Sequence, residues 1–156
     1  MGRMYSAAFQ GVSVSTGIVD LFELLPAAGK PCIIHSVHVT QDDGETSLQL
    51  PVTLKRLTAT VTGGNGTAVT PRKLGWSTDA AAGAAVERIA TTPATTSGTA
   101  EVLRAQGDNI LNGWHWTFLP EERIGIVNGE AFIAKLETAA GVTLLLSGEL
   151  IFEELG

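Results

Sequence analysis

Val142-Thr-Leu-Leu-Leu-Ser-Gly-Glu-Leu-Ile-Phe-Glu-Glu154 decides the fold of this chain. Read with a period of two, Leu144, Leu146, Gly148, Leu150 and Phe152 share one face, and Thr143, Leu145, Ser147, Glu149, Ile151 and Glu153 share the other. This is a long strand with one dry face. Its second face mixes Leu145 and Ile151 with Glu149 and Glu153, so it is expected to border solvent or a neighbouring subunit. Just upstream, Phe132-Ile-Ala-Lys-Leu136 reads as another strand, and Glu137-Thr-Ala-Ala-Gly141 is short enough to join the two as an antiparallel hairpin.

The same period runs outward through the chain. Ile124-Gly-Ile-Val127 leads into Asn128-Gly129, a strong hairpin signal. Ile110 to Phe118 reads as a strand with Trp114, Trp116 and Phe118 on one face, ended by Pro120, and Val86 to Thr92 and Thr99 to Ala105 are two more. Near the N-terminus, Tyr5, Ala7 and Phe9 alternate with Ser6, Ala8 and Gln10 up to Gly11, and Ile18 to Leu25 runs as far as Pro26. Within Cys32 to Gln41, Ile33, His35, Val37 and Val39 oppose Ile34, Ser36, His38 and Thr40. After Leu48, Leu50, Val52 and Leu54 the apolar phase moves to Leu57, Ala59 and Val61, which predicts a β-bulge. Pro51 cannot donate to a ladder, and so predicts an edge strand or the bulge itself. The glycine-rich loop 62–71 is expected to be an exposed contact arm, as is segment 1–11, and Trp76-Ser-Thr-Asp before alanines predicts a single helical turn.

About eight to ten strands without supporting helices predict an all-β chain, an antiparallel two-sheet sandwich of jelly-roll type with at most one short helical turn. A closed barrel is the second choice. Parallel α/β architecture would need crossover helices that the sequence does not supply.

Totals set further bounds. A chain of 156 residues fits one domain over 1–156, and at this size it can bury roughly 70% of the surface its unfolded form exposes. Cys32 stands alone, which excludes an internal disulfide, and before Ile33-Ile34 it reads as a small buried residue. Ten basic against sixteen acidic side chains give a net charge of -6, a poor match for nucleic acid, whose binding draws on clustered Lys and Arg. Apolar runs fall short of the roughly 20 residues of a membrane helix. The stretch from Met1 to Phe9 carries no secretion-signal pattern, so the expected place of synthesis is a cytosol.

Candidate chemistry is sparse, and no catalytic residue and no cofactor are expected. His35 and His38 fall on opposite faces of one predicted strand and so cannot share a metal; with only His115 remaining, the histidines read as structural. Asp42-Asp-Gly-Glu45 lacks the spacing of a calcium loop and reads as a solvated turn. Glu121, Glu122 and Arg123 read as an ion pair or turn rather than as an acid/base pair, because adjacent strand residues point apart. Ser13, Ser15 and Ser147 have no nucleophile elbow, and Gly63-Gly-Asn-Gly66 is not followed by the Lys-Ser/Thr of a phosphate loop. The strip of Trp114, Trp116 and Phe118 could stack on sugars or anchor an interface, but core packing fits at least two of the three better.

Several segments together resemble a family of small accessory virion proteins encoded by tailed bacteriophages and their prophages. They are Met4-Tyr-Ser with Phe9 and Val12-Ser-Val-Ser, Asp20-Leu-Phe-Glu, Ala68-Val-Thr-Pro-Arg, Asp79-Ala-Ala-Ala-Gly, Pro120-Glu-Glu-Arg, and the Ser147-Gly-Glu-Leu-Ile-Phe-Glu-Glu ending. The resemblance implies a structural protein of the virion, most simply a head decoration or cement protein that assembles as a trimer on the major capsid protein and sits on the outer surface. A tail-tube or head-to-tail connector component and a carbohydrate-binding module of a fibre are the alternatives. Contacts are expected at Arg3, Tyr5 and Phe9, at Asn65 in the glycine loop, at Trp114 and Trp116, and at Glu121 and Arg123.

Overall fold

The computed structural model describes residues 2–14, 17–42 and 47–156. Its strands are β1 (Arg3–Val14), β2 (Val19–Leu25), β3 (Cys32–Gln41), β4 (Gln49–Leu57), β5 (Val61–Thr62), β6 (Thr67–Val69), β7 (Arg72–Lys73), β8 (Ala85–Ala90), β9 (Thr95–Thr96), β10 (Ala100–Asn109), β11 (Trp114–Thr117), β12 (Ile124–Ile126), β13 (Ala131–Leu136) and β14 (Leu144–Glu154). They form an antiparallel sandwich. One sheet has the order β11-β3-β14-β1-β7, with β12 also on β3; the second has the order β10-β4-β13-β2-β8-β6.

The topology is that of a jelly roll. The pairs β1 with β14, β2 with β13, β3 with β11 and β12, and β4 with β10 are nested in the sequence. They describe one long antiparallel ribbon whose tip lies between β4 and β10. The ribbon is rolled so that its successive rungs alternate between the sheets, and each sheet is thereby built from distant parts of the chain.

Alternation in β14 places Leu144, Leu146, Leu150 and Phe152 in the core, each fully buried. A buried side chain of this size contributes roughly 1.5–3 kcal/mol. The core is filled between the sheets by ring contacts: Tyr5 stacks on Phe152 at 5.6 Å between centroids, and Phe9 meets Phe22 at 5.2 Å. Gly148 belongs to this dry face because the rings already occupy its space. A Cβ there would lie 2.8 Å from Phe9 and 3.0 Å from Phe22.

Several expectations are corrected. Neither Asn128-Gly129 nor Glu137 to Gly141 closes a hairpin: β12 and β14 lie in one sheet and β13 in the other, so both turns carry the chain across the core. Asn128-Gly129 does make a tight turn, with Gly129 at φ 93° and Glu130 N donating to Val127 O at 3.0 Å. The turn itself is the one its residues favour, but the strand it leads to lies in the other sheet, because the roll chooses the partner. β4 is an interior strand rather than an edge, and Pro51 sits one step beyond the Val52–Leu136 pair, at the end of the ladder to β13, where its carbonyl still accepts from Glu137 N at 3.0 Å. The phase switch after Arg56 is not a bulge in β4; the chain leaves the sheet after Leu57, and Ala59 takes a left-handed φ of 65°. β1 does not end at Gly11 but passes through a bulge between Phe9 and Val12, with Gly11 at φ 59°.

The helical turn expected at Trp76 is also absent. Trp76 N donates to Asp79 Oδ2 and Asp79 N to Trp76 O, both at 3.0 Å, which closes a turn instead of starting a helix. The one helical turn among the described residues is a 3-10 turn at Pro120–Glu122, where proline at the first position gives up no needed N–H. Of the predicted polar turn after Gln41, positions Asp43 to Thr46 lie outside the described residues, as do Ser15 and Met1. No helix among the described residues is long and apolar enough to cross a membrane.

Candidate functional site

Between β4 and β10 the ribbon tip is drawn out into an insertion, and this insertion shapes the surface. Its base, β5 paired with β9, covers the outer face of the second sheet through a small apolar cluster of Leu57, Ala131 and Ile133 with Leu25, Val61 and Ala94. Farther on, β8 and β6 extend the second sheet beyond β2, and β7 extends the first beyond β1. Loop 62–71 is therefore not a free arm, since part of it is a paired strand. Asn65, expected at a contact, spends its side chain on the insertion itself: its Oδ1 accepts from Thr92 N at 2.8 Å, and its Nδ2 donates to Thr91 Oγ1 at 3.2 Å.

The loop from Leu74 to Ala84, between β7 and β8, carries the most exposed large apolar side chain described, Trp76, at 80% exposure. Its backbone is nonetheless fixed. Leu74 N donates to Met4 O at 2.9 Å, Lys73 Nζ to Ser77 O at 2.9 Å, and the buried Tyr5 hydroxyl to Ala80 O at 2.9 Å. At the far end, Glu154, only 2% exposed, accepts from Gly83 N at 2.7 Å and Ala84 N at 2.8 Å through Oε2 and from Lys30 Nζ at 2.9 Å through Oε1. Burial raises the Tyr5 phenol above its ordinary range, with the Glu154 charge adding to the effect, so the hydroxyl stays a donor. An indole held open on a rigid loop is what an interface anchor requires. Beside it lies an open cavity of about 500 Å³ lined by Gly2, Arg3, Met4, Leu74, Gly75 and Asp79.

A second cluster lies on the outer face of the first sheet. The ladder between β14 and β3 shifts register between Ile151 and Phe152, opposite His35. This bulge changes the phase of β3, so that Ile34, Val37 and Val39 all face the core while His35 and His38 both point away from it. The expectation of opposite faces is overturned. His35 Nε2 lies 3.2 Å from Glu153 Oε2, and His38 is directly opposite His115 on β11, their Nδ1 atoms 3.0 Å apart. Burial and His115 hold the His38 imidazole below the ordinary histidine range, against the opposing pull of Glu149.

The expected contact residues do not form one patch. Tyr5, Phe9 and Trp114 are core side chains and cannot meet a partner, because the inward alternation of β1 and β11 buries them; Trp116 is half-buried against the same core, beside a buried Phe118. Arg3 lines the Trp76 cavity and donates to Gly156 O at 3.5 Å. Glu121 and Arg123 are exposed at the opposite edge of the first sheet, near β12. The exposure of Trp76 was not expected from the sequence, yet its surroundings held a signal: an aromatic within Gly75-Trp-Ser-Thr-Asp79 has no alternating strand to bury it. Cys32 is buried, and its thiol is pushed up to about 12 by desolvation, with Glu154 adding to the shift, which fits a packing residue.

No family model matches the sequence, and no curated protein matches it. Among solved structures, a structure of the infectious bursal disease virus Gx strain shares 17% identity at a TM-score of 0.14. The match covers 98% of this chain, which spans 39% of the length of that one. A TM-score so low gives the likeness no bearing on fold or function.

Proposed function

We propose that the protein is a virion structural component of a tailed phage, a capsid decoration protein that binds and stabilises the head lattice from outside. The observation that carries this reading is Trp76, an open indole on a loop fixed at both ends, next to Leu74 and Met4 at one corner of the sandwich. A preordered aromatic loses little freedom on docking and serves well as a central anchor. The net charge of -6 fits an outer position better than one against packaged DNA. Stabilisation of the head would follow from mass action, since a protein that binds only the assembled lattice draws the equilibrium toward it.

The test is binding of the purified protein to emptied heads of the phage that encodes it, with native mass followed across a dilution series. Wild type is expected to bind as a trimer, and Trp76→Ala to weaken particle binding by roughly 30-fold, an anchor's share of about 2 kcal/mol. Unchanged binding and unchanged mass would remove the Trp76 reading. Because the indole is open beside a cavity, glycan binding by a virion fibre is the second reading, and glycan affinity lost in Trp76→Ala would favour it. Ring or tube formation by the pure protein would instead favour a tail-tube or connector role.

A further inference from the structure

His38 and His115 come from strands that the sequence separates widely, yet the β3–β11 register sets them directly opposite each other on a solvent-facing sheet surface. Their Nδ1 atoms are 3.0 Å apart, and His115 Nε2 lies 3.1 Å from the backbone oxygen of Asn112. A carbonyl oxygen only accepts, so His115 carries its proton on Nε2 and turns the lone pair of Nδ1 toward His38. A second ring nitrogen donating to a carbonyl is the arrangement that orients metal-binding histidines. The same face presents Glu149, directly opposite His38 on β14, whose Oε1 accepts from Ser6 Oγ at 3.0 Å and which adds negative charge nearby.

We propose that His38 Nδ1 and His115 Nδ1 form a surface site for one divalent transition-metal ion, with water completing the coordination. Among the described residues no group of three or more His, Cys, Asp or Glu is arranged to hold a metal ion, so this is a two-ligand site. Two nitrogens held about 2.0–2.1 Å from an ion and 3.0 Å from each other subtend roughly 91–97°. That angle is the cis angle of tetragonal coordination, and imidazole nitrogens in such geometry select Cu²⁺ or Ni²⁺. Tetrahedral Zn²⁺ would need the nitrogens to open to about 3.3 Å, which places it behind the other two. On binding, His38 gives up its Nδ1 proton to solvent or moves it to Nε2, and the ion takes the place of the hydrogen bond between the rings.

The experiment is calorimetric titration of the chelator-treated full chain with CuCl₂, NiCl₂ and ZnCl₂, repeated on His38→Gln, His115→Gln, the double variant and His35→Gln. Wild type is expected to bind one ion, tightest for Cu²⁺, and each single change at His38 or His115 to weaken binding at least about tenfold. His35→Gln, which alters the histidine paired with Glu153, is expected to leave affinity unchanged. No saturable binding of any of the three ions up to about 1 mM would overturn the site, as would affinity retained in the double variant. Imidazole nitrogen NMR of wild type with Zn²⁺ gives a reading that does not depend on the variants folding. Shifts at His38 and His115 are expected, and a shift confined to His35 would overturn the site.

Discussion

The two flanks of the sandwich are built on different terms. Along the β1/β2 flank, the insertion lengthens both sheets and covers the outer face of β2, and three buried carboxylates hold it by its backbone. Asp20 accepts from Ala94 N at 2.8 Å, Glu23 from Gly64 N at 3.0 Å, and Glu154 from Gly83 N and Ala84 N. Along the other flank, β10 is an edge strand ten residues long, with Val102 56% exposed and Leu119 open nearby. Its charges, Glu101, Arg104 and Asp108, are those with which exposed edges resist unwanted pairing. One flank uses buried carboxylates to hold the chain to itself; the other keeps its charges at the surface, where Glu101 pairs with Arg56 and Arg104 with Glu122. Stability should therefore reside on the first and a sheet edge open to strand pairing on the second.

The largest effect that would break this contrast is at Glu154. Replacing it by alanine leaves Lys30 without its partner and the N–H groups of Gly83 and of the buried Ala84 without an acceptor. Removing one member of such a set costs about 3 kcal/mol. Urea unfolding of Glu154→Ala should show this loss, with early proteolytic cleavage between Leu74 and Ala84 as the loop is released. A loss under about 1 kcal/mol would mean that the insertion is held by its strand pairing alone.

A smaller effect, with a definite sign, is expected at Glu23. It lies opposite Glu87 on β8, and its Oε1 is buried without a hydrogen-bond partner among the described residues. Burial raises the carboxyl above its ordinary value, Gly64 N opposes the shift and Glu87 adds to it; burial raises Asp20 as well, against Ala94 N and the lysines Lys135 and Lys55. A raised acid means that the folded chain keeps its proton after the unfolded chain has released it. Stability contributed by these groups therefore falls as pH rises from the ordinary carboxylate range through the folded-state values, and the loss is complete above them. Glu23→Gln keeps an acceptor for Gly64 and gains a donor toward Glu87. It should stabilise the protein at pH 7 by about 1 kcal/mol and lose that advantage near pH 4. An equal effect at both pH values would show that the proton is not involved.

How far the sequence could be read follows from which features are local. Leu144 to Phe152 announce their strand and its dry face because a period of two is written in consecutive residues. Glu154 continues that phase onto the core face, but its function depends on Gly83 and Ala84, about 70 residues away, and no local signal points to them. Asn128-Gly129 fixes a turn and not the strand that follows it, since pairing is chosen when the ribbon rolls. His38 and His115 were hidden twice, once by the bulge at His35 that reverses the phase of β3 and once by a cross-strand register between residues 77 apart. Trp76 was within reach: a tryptophan among Gly, Ser, Thr and Asp has nowhere obvious to be buried.

The smallest effect belongs to the open flank and sharpens the contrast most. Arg104 Nη2 lies 3.6 Å from Glu122 Oε1, with the two side chains 43% and 48% exposed. Water already solvates both charges, so the pair gains little Coulomb energy and loses side-chain freedom in forming; such pairs contribute under about 0.5 kcal/mol. Arg104→Ala should accordingly leave the urea midpoint nearly unchanged, where Glu154→Ala shifts it strongly. Its native mass is then informative. If the proposed trimer weakens while the midpoint stays, Arg104 is used between chains rather than within one, and the β10 edge is the assembly face. If the midpoint falls by more than about 1 kcal/mol, the flank supports the fold after all and the division between the two sides fails.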